Sequence, residues 1–114
     1  MAVAATIDCP SGPLTVATTH LSFVNWWNGR QLRHLVSSLA SLPAPMLVTG
    51  DLNMGVDRAE RVSGMTAVAR HPTFPADAPR EQLDHVLADR RLEVRSQTCR
   101  MPLSDHLALV VDLV

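Results

Sequence analysis

Residues 46–48, Met-Leu-Val, are apolar at three consecutive positions between Pro45 and Thr49-Gly50. A strand with one wet face alternates apolar and polar residues, so an unbroken apolar run asks for cover on both faces. Just upstream, Leu32, Leu35, Val36, Leu39 and Leu42 recur at helical spacing on one face, with Arg30, Arg33, Ser37 and Ala40 off it. Pro43 and Pro45 end that helix. A long amphipathic helix leading into a doubly covered strand predicts a layered α/β fold. A chain of 114 residues holds one small domain of this kind and no second.

The other elements follow from local patterning. Residues 3–9 and 14–21 are rich in strand formers, and Pro10-Ser11-Gly12-Pro13 between them makes a hairpin. Residues 22–27 read as a loop holding three of the four aromatics, after which Asn28 and Gln31 fit a capping-box helix start. A short helix capped by Asp57 is expected within residues 57–70, weakened by Gly64. Residues 71–80, with three prolines, are a loop. Residues 83–87 and 91–98 read as strands joined by a turn at 88–90, and residues 107–114 as a buried final strand. About six strands and one long helix result. One helix covers one face of such a sheet, so the other face needs the rest of a longer protein or a second copy of the chain.

Composition excludes several function classes. All ten basic residues are Arg against eleven acids, a net charge of −1, which removes nucleic-acid binding by bulk electrostatics. Cys9 and Cys99 lack CxxC spacing and are expected as reduced, buried thiols, and with scattered histidines they leave a zinc or thiol site without support. No apolar run reaches the ~18–20 residues of a membrane span, and residues 1–5 lack the basic start of a signal peptide. A cytoplasmic location is therefore the default expectation. Trp26-Trp27 leave stacking, membrane contact and packing open, with core or interface packing preferred.

Four clusters sit where strands begin or end: Thr19-His20-Leu21, Gly50-Asp51-Leu52-Asn53, Leu83-Asp84-His85 and Ser104-Asp105-His106. Singly, each has an ordinary reading as a turn, an edge histidine or a surface pair. Together they suit phosphoester hydrolysis. Carboxylate and amide oxygens are hard ligands for Mg²⁺, and a histidine held by a carboxylate deprotonates water near neutral pH. His85, next to Asp84, points to the opposite face of its strand and is structural, whereas His34 and His71 fall at surface or loop positions.

This ordered set, with Arg30-Gln31 on the helix, resembles the endonuclease/exonuclease/phosphatase superfamily. The resemblance runs over residues 1–114 but matches only the C-terminal half of the family domain. It implies a β-sheet with one main helix layer, half of a four-layer αββα DNase I-like sandwich. It also implies a divalent-metal-dependent phosphoesterase using Mg²⁺ or Mn²⁺. By the same resemblance, His106 is the general base, or the group holding the scissile phosphate. Asp84 orients His106, Asp51 positions the attacking water, and Asn53 holds that water or a phosphate oxygen. Asp105 lies at the metal side with Asp51 and Asn53, and His20 binds phosphate or assists the leaving group. The family's principal metal-binding glutamate comes from the N-terminal half, and Glu60, Glu81 and Glu93 stand in other contexts. The alternative reading is thus a non-catalytic half-domain for assembly or binding. The implied partners are a phosphoester (nucleic acid, phospholipid headgroup or small phosphate ester) and either the N-terminal half or a second copy, giving a homodimer if isolated.

Overall fold

The computed structural model describes residues 1–114. The chain opens with a hairpin of β1 (Ala2–Cys9) and β2 (Gly12–His20), antiparallel from Ala2↔Thr19 to Cys9↔Gly12. Helix α1 (Asn25–Leu39) then carries the chain across the sheet to β3 (Met46–Asp51), which lies parallel to β2. Helix α2 (Val56–Ser63) and the two-residue β4 (Thr66–Ala67) precede β5 (Asp84–Ala88). β5 pairs antiparallel with both β3 and β4, completing a five-stranded sheet of order β1-β2-β3-β5-β4. Strands β6 (Val94–Arg100) and β7 (Leu107–Leu113) form a separate two-stranded sheet.

That split corrects the single-sheet expectation. β5 and β6 follow one another but lie in different sheets, and β6–β7 covers part of the face left over by the helices. Ala17, Met46, Val48 and Leu87 pack against Leu32 and Leu39 of α1 in the main core. On the other face, Leu47, Val86 and Ala88 pack with Leu109 and Val111 of β7. The cover ends before the sheet does: Val3 and Ile7, facing the same side, are 62% and 48% exposed. The last strand is only partly buried.

Several local expectations also change. Helix α1 begins at Asn25 behind Val24, not at Asn28. Asn28 is fully buried inside the helix, and Gln31 instead accepts a hydrogen bond from the Ser22 N–H. Residues 25–27 are therefore helical. Leu42 lies beyond the helix and is exposed. Gly55, not Asp57, precedes α2, and Gly64 closes that helix in the left-handed conformation (φ 71°) that glycine adopts without steric cost. Cys9 is half-buried and Cys99 exposed, both free, so neither is a buried thiol.

Candidate active site

Strand register sets the first three members. His20 pairs with Asp51 across β2–β3, and Asp51 with Asp84 across β3–β5, so the three stand on one rung of the sheet. Side chains on one rung share a face, here the face that β6–β7 covers. Gly50 makes this rung possible at its centre. A Cβ there would lie 1.9 Å from the Thr19 carbonyl oxygen at φ 130°, so only glycine brings β3 this close to β2.

His106 comes from the other sheet, just ahead of β7. Its Nδ1 lies 2.6 Å from Asp84 Oδ2. A carboxylate only accepts, so Nδ1 carries the proton and Nε2 is left as the ring's free nitrogen. Nε2 lies 3.7 Å from Asp51 Oδ2 and 4.0 Å from Asp105 Oδ1. His20 Nε2 lies 3.5 Å from the same Asp51 oxygen. Partial burial disfavours the charged form of His106, but the Asp84 hydrogen bond and the charges of Asp84, Asp51 and Asp105 outweigh it and raise the pKa above 6.5. The Phe74 ring packs against the imidazole, centroids 4.9 Å apart.

The chain around these residues is tied down. The Asn53 N–H donates to Asp51 Oδ1 at 2.9 Å, an Asx turn that places Asn53 at φ 51°. One hydrogen of its amide is spent on the Leu21 carbonyl at 2.7 Å, which leaves Oδ1 and a second hydrogen for other work. Asp105 is the outlier of the set, with a side chain 82% exposed at the outer rim. His85 is 1% exposed on the opposite face, where Nε2–H donates to the Met54 carbonyl at 2.7 Å. Burial lowers its pKa and keeps it neutral. His34 is exposed on α1, and His71 meets Ser96 Oγ from its loop. Glu60 is held by Arg70 and the Ala67 N–H, away from the rung.

Three residues that shape the site have no signature in the sequence. Buried Thr73 accepts from the N–H groups of Leu83 and Asp84 and so anchors the start of β5. Buried Asn28 donates from Nδ2 to the Asn53 carbonyl, and Arg58 of α2 donates to Asn28 Oδ1 at 2.6 Å. Their partners lie 10 to 30 residues away in the chain, beyond any local pattern.

The donor set fits a hard divalent cation. Three carboxylates face two imidazoles, and ligand atoms of Asp51, Asp84 and His106 lie within 4.8 Å of one another. Nδ1 of His106 is committed to Asp84, and Asp51 is the member of that group with a carboxylate oxygen facing the free Nε2, at 3.7 Å.

The α/β fold, with helices outside the main sheet, is that of DNase I-like proteins. The chain belongs to the endonuclease/exonuclease/phosphatase family, whose sequence model matches residues 2–106. Among solved structures it resembles an endonuclease/exonuclease/phosphatase family protein from Leptotrichia buccalis, with TM-score 0.80 and 16% identity over 99% of this chain and 52% of that one. A mannosyl-6-phosphatase from Bacteroides thetaiotaomicron aligns with TM-score 0.72 and 13% identity over 99% of this chain and 56% of that one. A beta toxin variant from Staphylococcus aureus, solved with bound magnesium ions, aligns with TM-score 0.71 and 13% identity over 96% of this chain and 56% of its own. No curated protein matches the chain in sequence. The chain thus spans about half the length of these solved relatives.

Proposed function

We propose that this chain carries the general-base half of a divalent-metal-dependent phosphoesterase site, in which an activated water hydrolyses a phosphodiester or phosphomonoester. The observation that carries the reading is the 2.6 Å Asp84–His106 hydrogen bond, which leaves Nε2 of His106 free and turned toward Asp51. Neutral His106 accepts a proton from water at Nε2, and Asp84 stabilises the imidazolium that forms. Asp51 orients that water and Asn53 holds it or a phosphate oxygen. His20, with a side chain 75% exposed at the mouth, meets the phosphate or the leaving group. A bound Mg²⁺ or Mn²⁺, held by Asp51, Asn53 and Asp105, would neutralise phosphate charge and polarise the P–O bond.

The test is hydrolysis of bis-p-nitrophenyl phosphate and p-nitrophenyl phosphate with added Mg²⁺ or with EDTA. In protein that also carries the N-terminal half, we expect metal-dependent turnover, silenced by EDTA and lowered by ~10²–10⁴-fold in His106→Ala with the fold retained. Turnover of that variant within a few-fold of the parent would refute the assignment. Metal-independent turnover would remove the cation from it. A second reading, a non-catalytic half-domain for assembly, is supported by the open apolar row of Val3 and Ile7. No turnover in either condition by folded protein that carries both halves favours it.

A further inference from the structure

Three of the four aromatic side chains are exposed to water within five residues of one another. Phe23, Trp26 and Trp27 are 82%, 70% and 43% exposed, although each ring offers ~150–250 Å² for burial. Trp26 and Trp27 stand on the first turn of α1, and Phe23 directly precedes its N-cap Val24. The fold gains little from them, because α1 buries Asn28, Gly29, Leu32 and Leu39 instead. Arg30 and Arg33 follow, exposed, along the same helix. Residues 9–50 contain no acidic side chain at all. Helix α2, packed against α1, does carry Asp57 and Glu60, but both are engaged by Arg70. Arg30 and Arg33 form no salt bridge, so the aromatics of α1 are followed along the helix by two unpaired positive charges.

The patch also adjoins the site. The Leu21 N–H donates to the Asp51 carbonyl, Asn53 Nδ2 donates to the Leu21 carbonyl, and Asn28 Nδ2 donates to the Asn53 carbonyl. The segment that displays the aromatics is therefore stitched to the Asp51–Asn53 turn. The two indoles meet edge to face, centroids 5.8 Å apart and planes at 65°. That wedge offers no run of parallel faces on which successive bases stack. Exposed Trp and Phe beside Arg, on a helix face without acids, match instead the chemistry of an anionic membrane interface.

We propose that Phe23, Trp26 and Trp27, with Arg30 and Arg33, seat the protein on an anionic phospholipid surface. Docked this way, the His20–Asp51–His106 site stands beside the lipid headgroups. That orientation rests on the phosphoesterase reading; the docking itself does not.

Trp26 and Trp27 are the chain's two tryptophans and it has no tyrosine, so intrinsic emission reports the patch directly. Emission and co-sedimentation are measured with phosphatidylcholine vesicles, with and without phosphatidylglycerol. The expected result is a blue shift, quenching by brominated acyl chains and co-sedimentation with the phosphatidylglycerol vesicles, all weakened by salt. Phe23→Ser/Trp26→Ser should lower partitioning at least tenfold with an unchanged helical circular dichroism signal. Arg30→Ser/Arg33→Ser should remove the preference for the anionic lipid. His106→Ala should bind as the parent does, which separates failure of docking from failure of the catalytic reading. Absence of any response to phosphatidylglycerol vesicles, equal response to both vesicle types, or binding indifferent to the aromatic substitutions overturns the proposal. So does quenching by oligothymidylate without a vesicle response, which would make the patch a nucleic-acid surface. A blue shift of lipid-free protein that reverses on dilution would give it to a second copy.

Discussion

Replacing Asn28 by alanine removes two hydrogen bonds that hold the site from behind. Asn28 is fully buried, donates to the Asn53 carbonyl at 3.1 Å and accepts from Arg58 at 2.6 Å. A neutral hydrogen bond contributes ~0.5–1.5 kcal/mol and one to a charged group ~1.5–3 kcal/mol. Arg58 keeps its second bond, to the Asn25 carbonyl, so its loss falls at the lower end. The expected cost is about 2–3 kcal/mol, within the ~5–15 kcal/mol that stabilises a domain. At this chain length that corresponds to a Tm lowered by roughly 8–12 °C. Urea unfolding followed by circular dichroism measures it. A cycle with Arg58→Ala and the double variant isolates the shared bond, and we expect a coupling of about 1.5–2 kcal/mol. Because the lost donor also holds Asn53, hydrolysis should fall more in Asn28→Ala than in Arg58→Ala. Additive single variants, or a loss below ~0.5 kcal/mol, would show that Asn28 does not tie α1 to the site turn.

Two further outcomes are expected. In metal-free protein, ring-proton NMR should find His85 titrating below 6.5 and His106 above it, with Asp84→Asn bringing His106 down; a His106 pKa unmoved by that change would remove Asp84 as its partner. The signs oppose one another in stability: the His85 contribution is complete above pH 6.5 and lost as pH falls toward its lowered pKa, whereas that of His106 is complete below pH 6.5 and lost as pH rises through its raised one. The uncovered row of Val3 and Ile7 should pair with a second copy when the chain is alone, in a mostly apolar interface exceeding ~1,200 Å² in total. Sedimentation should show a dimer that Ile7→Glu dissociates, and a clean monomer of the parent at micromolar concentration would count against it.

The legibility of the site followed from its position at strand ends. His20, Asp51 and Asp84 were recognisable because each closes or opens a run of strand formers, and Gly50-Asp51-Leu52-Asn53 because its turn chemistry is local. Their placement on one rung could not be read, since it depends on the pairing register of three strands. The body of α1 was legible from spacing alone, although the helix stops at Leu39, short of the expected Leu42. Its start was not: the capping potential of Asn28 lost to burial against Asn53 and Arg58, contacts spanning 25 and 30 residues.

The sequence by itself determined the opening hairpin, the body of α1, the strand of residues 46–51 and which side chains are chemically suited to phosphate and metal, because those properties depend on a residue and its near neighbours. Tertiary structure alone decided that β6 pairs with β7 and not with β5, since the alternating pattern of residues 94–100 suits either partner and only packing over Leu47, Val86 and Ala88 discriminates. That choice carries β7 across to the second sheet and brings His106 down onto Asp84. The Asp84–His106 pair thus exists only once two sheets have stacked, because its members come from different layers and lie 22 residues apart.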